Sequence, residues 1–531
     1  MKVDITFDNN YFVISSDYIF ELNVIRRAFT REIPNAWMLK KITDIQITDR
    51  EFMNNYNMIS TNLWLEIIKV AKKFNIAMEM TPAAQNFLNQ FTLKFEDFKS
   101  YIDDIFEGAE NEEGKEFKPY DYQVKAAYTL LKYKKCCGEI STSGGKTLIS
   151  FMIFKYLIDT QGIDNILYIV PSVDLANQSA IQYERYESYL KKHNHNWEIG
   201  ILRSGLTKKQ KAKVESCNIL FGTFQSLCKR KKEFFNRFGG CICDECHHLG
   251  NAASIKNILY NMSNLKYSIG VTGTFPKETM YENLYIQSVV GPVVYKLTAD
   301  QLINTEKRGT PIYAVIQYLK WADQQTKETM YIYRANKNPM DITAGSKVLK
   351  IERKTVNESY TRLKYICDQV INTKKNALVL FGDIKYGYGK KVYDYIKDNS
   401  SKDVYYTDGN TPNKTRDYYK QCMEEDTSGN TVIVASINTF GEGIDIKNLW
   451  SIFLVDTAKS ERLVRQICGR GIRLYPGKDK VVIFDFVDDI RYSADPNKRY
   501  KDNYLWRHGQ ERKKIYLEQH FPVYEQKVNF S

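Results

Sequence analysis

The stretch Glu139–Phe154, EISTSGGKTLISFMIF, places a glycine pair, a lysine and a threonine between a short apolar run and an amphipathic helical pattern. Gly144 and Gly145 allow backbone N–H groups to turn inward around phosphate oxygens, and the following helix presents its positive amino terminus to them. Lys146 then neutralises the terminal phosphates, and Thr147 supplies a hydroxyl ligand for Mg²⁺. The stretch therefore predicts a phosphate-binding loop between a strand and a helix.

One position departs from the usual pattern of such loops. Ile140 stands where the phosphate loop G-x-x-x-x-G-K-T has its first glycine. A glycine-rich turn without a ligand is the alternative interpretation of this motif by itself.

Outward from the loop, short β-branched runs alternate with helical patterns, which predicts parallel sheets with helices on both faces. The first series contains NILYIVP, CNILFGT, GGCICDE and YSIGVTGT, and a second series contains NALVLFG, TVIVASI, SIFLVDT and VVIFDFV. We expect an N-terminal α+β substrate-binding domain, a polar linker, two tandem α/β domains and a basic helical extension. The bounds that we predict for these segments are 1–108, 109–116, 117–300, 301–490 and 491–531.

Composition bounds the class of protein. The chain has 531 residues and a formal net charge of +13, which favours a polyanionic partner because Lys and Arg surfaces bind phosphate backbones. Its ten cysteines are scattered and no signal peptide opens the sequence, so we expect reduced thiols in a cytoplasm rather than a disulfide framework. No apolar run reaches the length that a membrane helix requires, and we expect no membrane partner.

A second stretch, Cys241–Gly250, CICDECHHLG, offers two kinds of site. Its cysteines and histidines are zinc donors, but all of them lie in one short run, whereas a structural zinc site uses two separated pairs. The other interpretation is a buried strand that ends at Asp244, the metal-binding carboxylate, followed by Glu245 as the base for the attacking water. The cysteines are then small apolar residues of that strand.

Asp244-Glu245-Cys246-His247 resembles the DExH box of superfamily two helicases, and STSGGKT resembles their motif I. The other motifs of that superfamily then follow in order, from the adenine-reading glutamine to the arginine motif. In this sequence they are KPYDYQ with Gln123, VPSVDLANQ, FGTFQSL, VTGTF, LVLFGDI, VASINTFGEGIDI and QICGRGIR. The small N-terminal domain and the C-terminal pattern are similar to the UvsW-type recombination and repair helicases of tailed phages.

The resemblance implies a fold of two RecA-like domains with ATP and Mg²⁺ bound between them. It implies catalytic roles for Lys146, Asp244, Glu245, His247, Gln466, Arg470 and Arg473. It implies cofactor contacts from Gln123, Ser143, Gly144, Gly145, Lys146, Thr147, Gly443 and Asp445, with Thr147 and Asp244 as the metal ligands. Thr272 and Thr274 would couple hydrolysis to domain movement, and His248 has no matching role.

Nucleic acid would be held mainly by backbone contacts, which do not read sequence. The residues whose motifs imply this role are Pro171, Ser172, Thr223, Gln225 and Ser436. The lysine-rich runs 229–232 and 207–213 are candidates to extend the track. Six N-terminal residues mix cations with an aromatic as fork or single-strand binders do, namely Arg26, Arg27, Arg31, Trp37, Lys40 and Lys41.

We therefore expect an ATP-dependent DNA helicase or translocase that remodels forks, junctions and R-loops in recombination, repair and replication. Its partners would be branched or single-stranded DNA, RNA–DNA hybrids, and single-strand-binding or recombination proteins. The chain would act as a monomer in the cytoplasm, that of the host if it is phage-encoded. An RNA helicase, a restriction-type motor and an ATP-switched nucleic-acid annealing protein are the alternatives.

Overall fold

The structure of the protein, a computed structural model, covers most of the chain. The described residues are 1–33, 49–191, 197–203, 205–251, 253–335, 344–382, 387–437, 446–455, 461–493 and 502–530. They divide into two compact units, Met1–Leu297 and Thr298–Ser531. Each unit contains one seven-stranded sheet.

A small mixed sheet opens the first unit. The strands before residue 110 are β1 (Lys2–Ile5), β2 (Tyr11–Ser15), β3 (Thr30–Glu32), β4 (Asp49–Glu51), β5 (Met58–Ser60) and β6 (Glu79–Met80). The sheet has the order β5-β2-β1-β6, and β3 pairs with β4 separately. The helices are α1 (Ile19–Ala28), α2 (Trp64–Lys73), α3 (Pro82–Asn89) and α4 (Phe95–Ile105). Alternate residues of β2, Phe12 and Ile14, are buried against Ile25 of α1, which confirms the predicted small α+β unit.

The first seven-stranded sheet is entirely parallel. Its strands are β7 (Lys135–Ile140), β8 (Ile166–Val170), β9 (Ile199–Leu202), β10 (Ile219–Thr223), β11 (Gly240–Asp244), β12 (Tyr267–Thr272) and β13 (Val293–Leu297). Their order is β13-β7-β12-β11-β8-β10-β9. The helices are α5 (Asp121–Tyr133), α6 (Lys146–Gln161), α7 (Val173–Tyr189), α8 (Lys208–Ser216), α9 (Phe224–Leu227), α10 (Lys232–Phe235), α11 (Ala253–Tyr260) and α12 (Tyr281–Val289).

Burial in this sheet explains why its strands are continuous apolar runs. Every residue of β8, β10 and β12 is buried, as expected where helices cover both faces of a parallel sheet. Helix α6 is buried along ten consecutive residues, from Leu148 to Leu157, so the prediction of an amphipathic helix was wrong and the helix is covered on all sides there. Because all seven strands run in the same direction, the carboxyl ends of β7, β8, β10, β11 and β12 meet at one edge.

The segment predicted as a linker, 109–116, is fastened to the first unit. Arg185 of α7 donates two hydrogen bonds to the carboxylate of Glu112, at 2.7 and 2.8 Å. Lys191 pairs with Glu110 at 2.9 Å. The segment is therefore a strap along the surface of α7 rather than a free hinge.

The second unit contains the other parallel sheet. Its strands are β14 (Ile312–Trp321), β15 (Ala377–Phe381), β16 (Asp403–Thr407), β17 (Thr431–Ser436), β18 (Ser451–Leu454), β19 (Val481–Asp489) and β20 (Val523–Phe530), in the order β16-β17-β15-β18-β19-β14-β20. The helices are α13 (Gln324–Ala335), α14 (Ala344–Glu358), α15 (Tyr360–Ile371), α16 (Tyr388–Asp398), α17 (Asn413–Glu425), α18 (Glu461–Gly471) and α19 (Tyr504–Glu518). Two tandem parallel-sheet domains are thus confirmed.

The end of the chain belongs to the second sheet. Helix α19 is the predicted helical extension, and Arg512 on it forms a buried ion pair with Asp485 of β19 at 2.6 Å. Strand β20, which the sequence analysis did not predict, then pairs with β14 along its whole length. Tyr524 and Val528 fall on one face of the strand by the period of two, but Val523 and Gln526 interrupt the alternation of apolar and polar residues, so the strand signal is weak.

No helix within the described ranges has the length and apolar character that crossing a lipid bilayer requires.

Candidate nucleotide and nucleic-acid sites

The predicted phosphate loop connects β7 to α6. Ser143 and Gly145 have positive φ angles, of 72° and 81°, so the backbone makes a tight turn before the helix begins at Lys146. A Cβ atom on Gly144 would lie 2.8 Å from Cγ2 of Ile140, and one on Gly145 would lie 2.1 Å from Nε2 of Gln123. Close packing therefore favours glycine at both positions, and the positive φ angle of Gly145 favours it there as well.

Ile140 is the last residue of β7 and is fully buried. Its side chain packs against Gly144, so this departure from the usual loop pattern serves as an apolar support beneath the turn. Gln123, on the first turn of α5, is also buried and donates to the carbonyl of Gly144 at 3.5 Å. The predicted adenine-reading residue thus contacts the phosphate loop directly.

The two predicted carboxylates lie at the carboxyl end of β11, on the same edge of the sheet: Asp244 is its last residue and Glu245 follows it. The ammonium of Lys146 lies 3.2 Å from Oε1 of Glu245, which brings the loop and the carboxylate motif together. Glu245 has a φ angle of 47°, a left-handed conformation that costs a residue with a side chain about 1–3 kcal/mol and is concentrated at functional sites. Asp244 accepts a hydrogen bond from the backbone N–H of Glu245 at 2.9 Å.

The pKa values of the two carboxyl groups are shifted in opposite directions. Burial, and then the charge of Glu245, raise the pKa of Asp244 to about 6. Burial also opposes ionisation of Glu245, but the Lys146 ammonium and a hydrogen bond from His247 together hold the pKa of that carboxyl well below its usual range. Adjacent carboxyls with pKa values moved apart are typical of a catalytic site.

Thr272, at the end of β12, is the centre of a buried network. Its hydroxyl donates to Oε2 of Glu245 at 3.1 Å and accepts from the backbone N–H of Thr274 at 3.1 Å. Nδ1 of His247 lies 2.5 Å from the same hydroxyl oxygen and 3.3 Å from Oε2 of Glu245. Because the hydroxyl proton is directed to Glu245, Nδ1 carries the imidazole proton and donates it. His247, Thr272 and Glu245 therefore form one hydrogen-bonded set.

Glu139 also contributes to the contacts around the phosphate loop, although no sequence motif marks it. It lies opposite Thr272 in the pairing of β7 with β12, and its carboxylate accepts from the backbone N–H of Phe275 at 3.4 Å. Gly273 approaches the phosphate loop so closely that a Cβ atom there would lie 3.1 Å from the hydroxyl of Thr142. These contacts join the loop to the VTGTF motif. They arise because β7 and β12 are neighbours in the sheet, which no local sequence pattern indicates.

The donor set fits Mg²⁺ better than zinc. Asp244 and Thr147 offer hard oxygen ligands, and a divalent cation would offset the burial that disfavours the ionised form of Asp244. Burial raises the pKa of the Cys241 and Cys246 thiols, which opposes the thiolate that zinc requires. The part of the chain that the structure describes has no group of three or more His, Cys, Asp or Glu residues arranged to hold a metal ion.

Two predicted nucleic-acid contacts follow neighbouring strands of the first sheet. Ser172 follows β8 and caps α7 by accepting from the backbone N–H of Leu175 at 3.3 Å. Thr223 ends β10 and caps α9 in the same way, through the N–H of Ser226. Gln225 is exposed two residues after Thr223, and Pro171 precedes Ser172 at this edge. The structure thus brings four of the five candidates to strand ends of the first unit, while Ser436 is buried at the end of β17 in the second.

The N-terminal cations have mainly structural contacts. Arg26 pairs with Glu51 at 2.7 Å, and Arg31 donates to the backbone carbonyl of Glu278 at 3.1 Å, which attaches the small domain to the rest of the unit. Arg27 is exposed. Trp37, Lys40 and Lys41 lie outside the described residues.

The lysine-rich runs are exposed. Lys229, Lys231 and Lys232 face solvent, whereas Arg230 pairs with Glu215 at 2.9 Å. Lys208, Lys209 and Lys213 are exposed on α8, and Lys211 is half-buried.

The arginine motif of the second unit is described in part. Residues 461–471 form α18, and the carbonyl of Arg473 accepts from Thr310 at 3.0 Å and from the ammonium of Lys478 at 2.7 Å. Burial lowers the pKa of Lys478 to about 8. The side chains of Gln466 and Arg470 lie outside the described residues, as do Gly443 and Asp445.

Two family models match the chain. The model described as type III restriction enzyme, res subunit, matches residues 116–277. The model described as helicase conserved C-terminal domain matches residues 361–475. The first match contains the phosphate loop, the carboxylates and the Thr272 network, and the second contains α18.

Named proteins and solved structures are also similar to the chain. The chain is 28% identical over 422 residues to the ATP-dependent DNA helicase uvsW of Enterobacteria phage T4, and the match covers 78% of this chain and 78% of that protein. It is 28% identical over 182 residues to the DNA 3'-5' translocase XPB2 of Sulfurisphaera tokodaii, over 34% of this chain and 36% of that one. Among solved structures, the ATP-dependent type ISP restriction-modification enzyme LlaBIII bound to DNA matches 78% of this chain and 32% of its own, with a TM-score of 0.55 at 17% identity. This last match concerns the fold alone.

Proposed function

Because the chain belongs to the superfamily two helicases, we propose that it is an ATP-dependent DNA helicase or translocase that remodels branched DNA in recombination, repair and replication. The contact between Lys146 and Glu245 is the observation that carries the proposal, since it joins a phosphate loop to a water-activating carboxylate. The similarity to a phage protein named as a DNA helicase supports DNA as the substrate.

In the proposed reaction, the ion pair between Lys146 and Glu245 is replaced by contacts of Lys146 with ATP and of Glu245 with the attacking water. Phosphate oxygens of ATP compete with Glu245 for the Lys146 ammonium, and the loss of that ammonium raises the proton affinity of Glu245. The carboxylate then accepts a proton from the attacking water. Thr272 and His247 hold Oε2, so that Oε1 stays directed toward the loop.

Other residues bind and position the nucleotide. Gln123 contacts the adenine, and backbone N–H groups from Ser143 to Lys146 bind the phosphates. Thr147 and Asp244 would hold Mg²⁺, which neutralises phosphate charge when it is bound. The resemblance to the helicase motifs further assigns Gly443 and Asp445 to the nucleotide site. It assigns catalytic roles to Gln466, Arg470 and Arg473.

The network around Thr272 offers a route from hydrolysis to movement. Thr272 contacts the base, and its hydroxyl also holds the N–H of Thr274 in the connection that follows β12. A change in the charge or position of Glu245 therefore reaches the backbone of the VTGTF motif. Pro171, Ser172, Thr223, Gln225 and Ser436 contact the phosphate backbone in this scheme.

The substrate assignment extends to branched and single-stranded DNA and to RNA–DNA hybrids. We assign residues 1–108 to substrate binding, with 109–116 as the connecting strap and 491–531 as an extension of the second helicase domain. The chain acts as a monomer alongside single-strand-binding or recombination proteins, in the cytoplasm of a host cell if a phage encodes it.

A panel of nucleic acids tests this function. ATP hydrolysis and strand separation would be measured on forks, four-way junctions, linear duplexes and RNA–DNA hybrids. We expect hydrolysis that DNA stimulates and unwinding that is fastest on branched DNA, with both lost in Lys146→Ala and retained in Lys125→Ala, an exposed lysine of α5. Hydrolysis that ignores nucleic acid and survives in Lys146→Ala would contradict the proposal.

The same panel separates the alternatives. Preference for RNA identifies an RNA helicase, and ATP-driven movement on duplexes without strand separation identifies a restriction-type motor. Strand annealing that persists in Lys146→Ala identifies a nucleic-acid annealing protein in which ATP acts only as a switch.

A further inference from the structure

A basic groove lies in the second unit, on the face of its sheet that α19 only partly covers. The groove has a volume of about 340 Å³. It is formed by the ends of β14, β19 and β20 together with α13 and the first half of α19. Its lining includes four cationic side chains, Lys320, Lys327, Arg491 and Lys527. None of them belongs to a helicase motif.

Strand register explains why these side chains share one face. In the parallel pairing of β14 with β20, Tyr318 lies beside Lys527. In the pairing of β14 with β19, Lys320 lies beside Asp489. Partners in register, and residues two apart in one strand, point to the same side of a sheet. The unpredicted strand β20 therefore brings Lys527 to the groove.

The two carboxylates of the groove are already neutralised. Arg491 donates to both oxygens of Asp489, at 2.8 and 2.9 Å. Glu525 accepts from the hydroxyl of Tyr318 at 2.6 Å and from the ammonium of Lys513 at 2.7 Å. Glu525 also interacts electrostatically with Lys527 beyond ion-pair distance, but its hydrogen bonds are to Tyr318 and Lys513.

Lys320, Lys327 and Lys527 have no carboxylate oxygen within 4.0 Å among the described residues. Lys320 and Lys527 are exposed, and Lys327 is half-buried. Three ammonium groups around one groove repel each other and attract a polyanion. The excess positive charge is thus local, and does not simply reflect the net charge of the chain.

The wall of the groove is rigid. The guanidinium of Arg491 lies 3.5 Å from the centre of the Trp506 ring. The centre of the Tyr318 ring lies 4.8 Å from the centre of the same Trp506 ring. Arg491 is fixed at the same time by Asp489. A wall that is held by these contacts needs little ordering when a ligand binds, which favours affinity.

We propose that this groove binds the sugar–phosphate backbone of a DNA strand, through Lys320, Lys327 and Lys527. The inference rests on the proposed function, because it extends the DNA contacts of the motor to a surface outside its motifs. Flexible lysines around an open groove suit phosphates of any sequence, since a lysine is a point charge that does not read base edges. The contact adds grip on the strand without taking part in ATP hydrolysis.

The test is the salt dependence of DNA binding by the full chain. A double variant, Lys320→Glu/Lys527→Glu, would be compared with a matched control, Lys480→Glu/Lys514→Glu. The control lysines are exposed in the same unit, at the amino end of β19 and on α19, and neither belongs to the groove lining. Both variants change the net charge equally, and thermal melting of each would verify that it is folded.

We expect the affinity for a single-stranded oligothymidine to fall about tenfold or more in the groove variant. The slope of log affinity against log salt should become shallower by about 1.4, which is about 0.7 for each of the two lost phosphate contacts. The control should keep the wild-type slope. Lys320→Gln/Lys527→Gln should show a smaller loss of affinity with the same change in slope. ATP hydrolysis without DNA should be unchanged in all variants.

Equal slopes in the groove variant and the wild type would overturn the inference, and would leave an acidic protein segment as the ligand to test next. The proposed function would survive that result if DNA still stimulated hydrolysis and Lys146→Ala still abolished it. Equal losses in the groove and control variants would also overturn the inference, because they would show a general effect of charge.

Discussion

The ammonium of Lys146 lies 3.2 Å from the carboxylate of Glu245, although 98 positions separate the two residues in the chain. The first residue follows β7 and the second follows β11, with β12 between them in the sheet. The Lys146 ammonium lowers the pKa of Glu245. In the proposed reaction a bound nucleotide would replace Glu245 as the partner of Lys146, so one ion pair would link nucleotide binding to activation of the base.

Glu245→Gln should separate nucleotide binding from hydrolysis. Glutamine keeps the shape of the side chain but cannot accept a proton, so we expect turnover to fall by about 10²-fold or more. ATP affinity should be maintained or rise, because Lys146 loses a competing anion. A fluorescent ATP analogue would report affinity, and phosphate release would report turnover. Glu184→Gln, at an exposed position of α7, is the control, and equal turnover in both variants would remove Glu245 from catalysis.

Thr272→Val should be more damaging than Thr274→Val. The Thr272 hydroxyl has contacts with Glu245, His247 and the N–H of Thr274, so valine leaves buried polar groups without a partner, at a cost of about 1–3 kcal/mol. The Thr274 hydroxyl has no hydrogen-bond partner within the described part of the chain. Urea unfolding and DNA-stimulated hydrolysis would be measured for both. Equal stability of the two variants would contradict the assigned network.

Hydrolysis should decline as the pH falls through about 6. The pKa of Asp244 is raised to about 6 by burial and by Glu245, so below that pH the carboxyl is protonated and binds Mg²⁺ poorly. Because the folded-state pKa lies above the ordinary value of 3.8, ionisation of Asp244 lowers folding stability as the pH rises from 3.8 toward 6. Mg²⁺ titrations of hydrolysis at several pH values would test this. An apparent Mg²⁺ affinity that stays constant across pH 6 would refute it.

Arg512→Met should destabilise the second unit by about 3–5 kcal/mol, because it leaves Asp485 buried and unpaired. The adjacent Lys513→Met breaks a partly exposed pair with Glu525 and should cost about 1 kcal/mol or less. Adding Asp485→Asn to Arg512→Met should recover stability by removing the buried charge. Proteolysis in increasing urea would measure all three, and similar losses for Arg512→Met and Lys513→Met would show that burial of the pair is unimportant.

Purified protein should contain no stoichiometric zinc, and chelation should leave its fold intact. Cys241 and Cys243 lie in a strand, and Nδ1 of His247 is held by Thr272. Elemental analysis and circular dichroism before and after chelation would test this. One tightly held zinc ion per chain, whose removal unfolds the protein, would establish a metal site at residues 241–248.

The local order of residues predicted much of the backbone of the candidate nucleotide site. Strand, glycine turn and helix are adjacent in the chain, so EISTSGGKT by itself specifies the backbone that surrounds a phosphate. The same holds for β11 and its two terminal carboxylates. Apolar runs of four to six residues also predicted the central strands, because parallel strands covered on both faces require them.

Tertiary structure decided what depends on neighbours far apart in sequence. Strand order places β12 between β7 and β11, and this brings Thr272 to Glu245 and Glu139 to Phe275. Pairing of β14 with β20 and β19 gathers lysines from three segments into one groove, which no local pattern marks. A sequence pattern records the periodicity and chemistry of one segment, whereas contacts across a sheet follow from which strands become neighbours when the core is packed.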